Sequence, residues 1–174
     1  EYAQKRSIYF DNNFTHKTFL EYYTAYWIYS NIEKKHKTEE RNTLISKYIY
    51  NPFWHIVLEL LLNMIDKDQA DSEIMDDLIN LQIDNDPKSL PFILSTIYSF
   101  KNVSIQCLTT AVNVSIDFII KNTLSPEFNR KTETLQYKIY ENLKELYYSE
   151  AEVKSIIIKK LISNESENST ILDL

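Results

Sequence analysis

The stretch NPFWHIVLELLLNMID, residues 51–66, decides the fold class of this chain. Asn51 and Pro52 suit the cap and first positions of a helix. Apolar residues then recur at intervals of three and four, as on one face of an α-helix. They are Phe53, Trp54, Val57, Leu58, Leu61, Leu62 and Ile65. So wide a stripe predicts a largely buried helix over residues 52–66.

The same periodicity recurs along most of the chain. It predicts further helices over residues 18–35, 39–48, 71–82, 88–100, 103–122, 129–148 and 150–162. Pro52-Phe53 and Pro91-Phe92 lie 39 residues apart, and each is predicted to open an apolar helix. This separation is near the period of HEAT-type arrays. We therefore expect an all-α fold, a helical-hairpin (HEAT-like) array or bundle.

The two ends of the chain differ from this pattern. Residues 6–16 combine the β-prone run Ile8-Tyr9-Phe10 with the turn-forming residues 11–13, which predicts a small N-terminal β-hairpin. The segment SNESENSTILDL, residues 163–174, is polar and acidic. We therefore expect a disordered tail at residues 164–174.

The first helix has a recognisable start and an aromatic face. Thr18 and Glu21 have the spacing of a capping box, in which each side chain bonds the backbone amide of the other residue. Phe19, Tyr22, Tyr23, Tyr26 and Trp27 then follow helical spacing. We expect these aromatic side chains to form a packing face.

Charge and cysteine content narrow the function classes. The 174 residues carry a net charge of −6, which disfavours binding to nucleic acid or to an anionic membrane. The tyrosine-rich stretch lacks the interleaved cations that attract a phosphate backbone. Cys107 is the single cysteine and lies in an apolar run, so we expect a buried structural thiol and a cytoplasmic location.

The chain contains no glycine. Phosphate-binding loops of the G-x-x-x-x-G-K-S/T and G-x-G-x-x-G types need the close backbone approach and positive φ that glycine allows. Neither loop can exist here. A nucleotide-driven machine related to this chain would carry its phosphate loop elsewhere.

Other candidate sites have ordinary structural interpretations. The acidic residues 66–77 resemble a calcium loop only in part, because Ala70 occupies the fifth position, which needs a ligand, and the segment has no glycine for the sharp turn. His36 and His55 have no second ligand at metal-binding spacing. No nucleophile–base arrangement is legible, so we expect no catalytic residues, no metal and no bound cofactor; a small helical enzyme with an unrecognised site stays a distant alternative.

His16 precedes the predicted helix start by two residues. The first amides of a helix are unsatisfied and carry partial positive charge, so they favour anions. A histidine at this place could donate a further hydrogen bond to a phosphate oxygen, or it could be an ordinary turn residue.

A resemblance bears on that choice. The pattern Phe14-x-His16-x-Thr18-Phe19-x-Glu21-Tyr22-x-x-Ala25 resembles a segment of STAND-class NTPases of the NACHT type, which include NLR immune receptors and bacterial antiviral proteins. In these proteins the segment closes a winged-helix domain and begins a helical domain. The preceding hairpin, Ile8-Tyr9-Phe10 with the turn residues 11–13, resembles the wing. Asn51-Pro52-x-Trp54 resembles a later part of the helical domain. The likeness covers about residues 6–66.

The resemblance implies a domain division and a function. It implies a winged-helix wing remnant at residues 1–17 and a helical domain at residues 18–163, before the tail at 164–174. It further implies that His16 contacts the phosphates of ADP or ATP bound by an upstream domain, while the other matching residues are structural. The implied function is a non-catalytic regulatory and interaction region that couples ligand sensing to nucleotide-dependent opening and oligomerisation of the parent NTPase, in signal transduction for antiviral defence. The alternative is a free-standing α-helical scaffold that binds a partner protein and involves no nucleotide.

Overall fold

The computed structural model describes residues 9–10, 13–14, 17–123 and 130–172, with side chains described for 17–123 and 130–164. The fold is all-α, as predicted. Eight α-helices lie in the described residues: α1 (Lys17–Asn31), α2 (Thr38–Tyr48), α3 (His55–Lys67), α4 (Glu73–Asn85), α5 (Leu90–Thr96), α6 (Ile105–Thr123), α7 (Arg130–Ser149) and α8 (Ala151–Leu172). Single turns of 3-10 helix cover Glu33–Lys35, Pro52–Trp54, Pro87–Ser89 and Ile97–Ser99.

Two very short strands precede α1. Strand β1 (Tyr9–Phe10) pairs antiparallel with β2 (Asn13–Phe14), with Tyr9 opposite Phe14. The turn between them lies outside the described residues. The interpretation of this segment as the wing of a winged-helix domain stays a prediction.

The chain divides into two compact units, Glu1–Ala70 and Asp71–Leu174. This boundary falls inside the helical domain predicted over residues 18–163. In the first unit, α1 packs along α3. Tyr29 near the end of α1 and Lys34 in the following turn both contact Asp68 at the end of α3, so the two helices run in the same direction.

In the second unit each helix packs on the helix two places further along the chain. The pairs are α4 with α6, α5 with α7, and α6 with α8. Sequential neighbours from α5 onward also touch. This arrangement is consistent with the predicted helical-hairpin array.

The predicted repeat markers are not equivalent. The side chain of Phe53 is 80% exposed, whereas that of Phe92 is 3% exposed, and Pro91 is the second residue of a helix that begins at Leu90. The equivalent features are instead Asn51-Pro52 and Asp86-Pro87. In each, the Asn or Asp side chain accepts a hydrogen bond from the backbone amide two residues later, at 3.1 and 2.9 Å, and a 3-10 turn leads into a helix.

Without glycine, the sharp turn after α1 uses a histidine. His36 has φ 54°, the left-handed conformation, and its amide donates to the Glu33 carbonyl. Among the described residues, His36 is the only one with a positive φ. Histidine tolerates this region better than most residues with a Cβ. The role of His36 in the described structure is therefore that of a turn residue.

The last helix extends beyond its predicted end. Helix α8 runs to Leu172, whereas the sequence pattern ended it near residue 162 and predicted a disordered tail at 164–174. The structure thus has a helix over most of the segment for which a disordered tail is predicted. The segment contains no proline or glycine, the two residues that most strongly end a helix.

Candidate functional site: the aromatic face of α1

The predicted phosphate-contacting residue, His16, lies outside the described residues. Helix α1 begins directly after it, at Lys17. Thr18 therefore lies within the first turn, not at the cap. The side chain of Glu21 is buried and pairs with Lys17 at 3.3 Å, one turn earlier, so the structure does not bear out the capping box. His16 stays a predicted site residue.

One face of α1 is buried against the rest of the first unit. It contains Glu21, Ala25 and Ile28. The small side chain of Ala25 is fully buried, which lets the backbones of α1 and α3 approach closely. Ile32 follows on the same side, just beyond the helix, and is also buried.

The opposite face of α1 is exposed and aromatic. We define the aromatic face as Phe19, Tyr22, Tyr23, Tyr26 and Trp27. Every one of these side chains is more than a third exposed, with Tyr26 at 50% and Trp27 at 61%. The prediction that they form a packing face is therefore wrong for the described structure.

The rings of the aromatic face contact one another. The Tyr22 and Tyr26 rings are stacked, with centroids 6.3 Å apart and planes at 9°. Tyr23 meets Tyr22 edge-on, with centroids 5.6 Å apart. Such pairs are favourable beyond their burial alone. The face is thus a partly ordered platform of rings with hydroxyl groups at its rim.

The aromatic face carries no charged side chain. The charged residues of α1 are Lys17 and Glu21, and they pair with each other. Tyrosine and tryptophan can still form hydrogen bonds through the phenol and indole groups. The arrangement can therefore bury apolar surface and form neutral hydrogen bonds.

The carboxyl end of α1 is held by a cluster of polar groups. Asp68 accepts hydrogen bonds from the Tyr29 hydroxyl and the Lys34 ammonium. The hydrogen bond from Lys34 lowers the pKa of Asp68. Partial burial and the same carboxylate raise the pKa of Tyr29. Asp68 lies in the acidic segment that was compared with a calcium loop, and in the structure its carboxylate joins the ends of α1 and α3.

The remaining candidates have structural roles. Cys107 is buried as predicted, and burial raises the pKa of its thiol to about 12, so the thiolate nucleophile is scarce at neutral pH. His55 contacts the Ile49 carbonyl through Nε2 at 2.9 Å, which joins the end of α2 to the start of α3. Among the described residues, no three His, Cys, Asp or Glu side chains form a group that could hold a metal ion.

No described helix is long and apolar enough to cross a membrane. Comparisons with protein families, with curated proteins and with solved structures find no match for this chain.

The exposure of the aromatic face had one signal in the sequence. Helix α1 carries two stripes: the aromatic residues, and a second row formed by Ala25, Ile28 and Ile32. Only the second row contains a small residue that allows close packing. A count of apolar residues ranks the aromatic stripe first, and that ranking led to the wrong prediction.

Proposed function

We propose that this chain is a non-catalytic regulatory and interaction region of a STAND-type NTPase, and that another protein surface docks on the aromatic face of α1. The observation that carries the docking proposal is the exposure of five aromatic side chains on one uncharged helix face. Exposed contiguous apolar patches of this kind mark interaction sites.

The composition of the face suits a protein partner. Tyrosine and tryptophan are enriched among the residues that contribute most to protein–protein affinity, because they bury a large area with few rotatable bonds. Trp27 and Tyr26, the most exposed rings, would contribute most. A nucleic-acid partner is disfavoured because single-stranded bases need cations beside the stacking rings, and the face has none. We place the chain in the cytoplasm, in keeping with its lone, buried cysteine.

The NTPase part of the proposal rests on the resemblance. His16 immediately precedes α1 in the chain, so a nucleotide-binding module that contacts the phosphates beside His16 would also lie near the first turns of α1. Docking of that module on the aromatic face would stabilise the closed state. Loss of those contacts would favour the open, oligomerising state as a population shift. The nucleotide, ADP or ATP, would belong to that upstream module.

Substitutions in the full-length parent protein test the proposal. His16→Ala should speed ADP release or cause assembly without a trigger, because it removes a contact made only in the closed state. Tyr26→Ser should have the same effect through the docked face. Tyr137→Ser on α7, a tyrosine that is more exposed than Tyr26, is the control and should change neither nucleotide release nor assembly. Unchanged nucleotide release and oligomeric state in both His16→Ala and Tyr26→Ser would contradict the proposal.

The alternative function, a free-standing helical scaffold, uses the same aromatic face without any nucleotide. The coding sequence before Glu1 separates the two. A G-x-x-x-x-G-K-S/T motif followed by an acidic strand end supports the NTPase. A start codon next to Glu1 would exclude it and leave the scaffold.

A further inference from the structure

The second unit contains an apolar groove between its last three helices. Its volume is about 330 Å³. We define the apolar groove by the side chains that line it: Ile116, Ile119 and Ile120 of α6; Tyr140, Leu143, Lys144, Tyr147 and Tyr148 of α7; and Ile157 and Leu161 of α8. The groove is separate from the aromatic face of α1, which belongs to the first unit.

The size of the groove suits several large side chains. An apolar cavity of about 150 Å³ holds one benzene molecule, so about 330 Å³ has room for two or three aliphatic side chains. Along α7 the lining runs from Tyr140 to Tyr148, which is about 12 Å at 1.5 Å per residue. A docked helix that anchors residues i, i+4 and i+7 spans about the same length.

The described lining contains one charged residue, Lys144, and no acid. Its Nζ lies 6.0 Å from the centre of the Tyr140 ring and 3.6 Å from Glu141, in an exposed pair that contributes little. The Nζ of Lys154 lies 5.3 Å from the centre of the Tyr147 ring. Both tyrosines line the groove, so its edges favour an acidic partner.

The groove also continues the packing pattern of the unit. Helices α4, α5 and α6 each pack on the helix two places further along. A further helix in this series would pack on α7, which supplies five of the side chains that line the groove. Its lining residues recur at intervals of three and four, which is the spacing that accepts the ridges of another helix.

We propose that the apolar groove binds an amphipathic α-helix of a partner protein, one with aliphatic anchors at i, i+4 and i+7 and acidic residues beside them. The anchors fill the groove, and the acidic side chains meet Lys144 and Lys154. A helix seated there buries apolar surface that the unit by itself leaves in water.

Isothermal titration of the full chain with a matched peptide panel tests this assignment. The peptides are about 16 residues long, with leucines at i, i+4, i+7 and i+11, and differ only in having Glu or Lys beside the leucines. The Glu peptide should saturate the chain, and the Lys peptide should bind about tenfold more weakly. Lys144→Glu should reverse that preference, whereas Lys138→Glu on the same helix should not.

Two neighbouring residues of α8 provide the apolar control. Leu161 lines the groove and Ile162 does not, and both are exposed, so either change to Glu should leave the fold intact. Leu161→Glu should weaken the Glu peptide about tenfold or more, and Ile162→Glu should change its affinity by less than about twofold. If circular dichroism shows that Leu161→Glu unfolds the chain, Tyr148→Ser at the groove edge replaces it.

Three outcomes overturn the proposal. They are the absence of saturable binding for the Glu peptide, equal affinity for the Glu and Lys peptides, and equal effects of the Leu161 and Ile162 changes. A fourth is saturable binding of dodecanoate without binding of either peptide, which would assign the groove to a small anionic amphiphile.

Discussion

Helices α1 and α3 lie side by side in the first unit and have similar sequence patterns, but the large apolar stripe is buried on α3 and exposed on α1. Both carry large apolar side chains at intervals of three and four. On α3 that stripe is the core: Val57, Leu58, Leu61, Leu62 and Ile65 are buried. On α1 the corresponding stripe is the exposed aromatic face, while Ala25 and Ile28 face the core.

This difference shows that the spacing of apolar residues identifies the apolar face of a helix but does not determine which surface covers that face. The aliphatic side chains of α3 fill the interior of the unit. The broad rings of α1 would hold two helices apart, so the close contact uses Ala25 instead. The aromatic stripe, which stays more than a third exposed beside a filled core, is the surface that we propose for a partner.

The largest expected loss of stability comes from a change in the buried stripe of α3. Leu61→Ala should lower the free energy of unfolding by about 3 kcal/mol, because it removes a fully buried side chain and leaves a cavity. Urea denaturation followed by circular dichroism measures the change. A loss below about 1 kcal/mol would show that α3 is not the core of this unit.

The contact between the two helices can be broken directly. Ala25→Leu should cost about 2 kcal/mol, because three additional carbon atoms must enter a fully packed contact. Tyr26→Leu, one residue along on the exposed face, is the control and should cost less than about 0.5 kcal/mol. Equal losses in the two variants would mean that α1 does not bury the face described.

The contact of Lys34 and Tyr29 with Asp68, between the ends of α1 and α3, should make a small, pH-dependent contribution to stability. Lys34 lowers the pKa of Asp68, so the stabilisation is present above the ordinary carboxyl pKa of about 4. That stabilisation is lost as the pH falls through the lowered pKa that Asp68 has in the folded state. The urea midpoint of the native chain should exceed that of Asp68→Asn at pH 6, and the difference should shrink below pH 4. A constant difference down to pH 2 would contradict this role.

The smallest expected effect on stability comes from the aromatic face. Trp27→Ser should change the free energy of unfolding by less than about 0.5 kcal/mol, because the indole is largely in water. A larger loss would mean that α1 has a second intramolecular contact.

The fluorescence of the two tryptophans reports how exposed each of these regions is to solvent. Trp54, just before α3, is half-buried and stacks on Tyr48 with ring centres 4.0 Å apart. Acrylamide should therefore quench the Trp27 emission of a Trp54→Phe variant more strongly than the Trp54 emission of a Trp27→Phe variant. Equal quenching would contradict the exposed position of Trp27.

Much of the fold was predictable because helix signals are local. Apolar residues at intervals of three and four predicted every described helix. Asn51-Pro52 correctly marked the 3-10 turn that leads into α3. The repeat was misassigned because Pro-Phe recurs in sequence, whereas the feature that recurs in space is an Asn or Asp side chain capping the turn after it, at Asn51 and Asp86. The end of α8 was misplaced because polar composition alone does not stop a helix.

The candidate sites were less predictable. Sequence reasoning selected the segment that contains the aromatic face but assigned that face to the interior. It missed the apolar groove, because Ile120, Leu143 and Leu161 come from three helices and share no local pattern. The role of His16 depends on a nucleotide-binding module and stays a prediction.

By itself, the sequence determined which segments are helical, that no glycine-based phosphate loop exists in this chain, and that Cys107 lies in an apolar run. These properties follow from residue type and spacing along the chain. The tertiary structure alone decided which stripe of α1 meets α3, that Asp68 joins the ends of two helices, and that three helices leave a groove between them. The physical reason is that burial is a property of pairs of surfaces: one helix specifies its own faces, and only its neighbours determine which of them water still reaches.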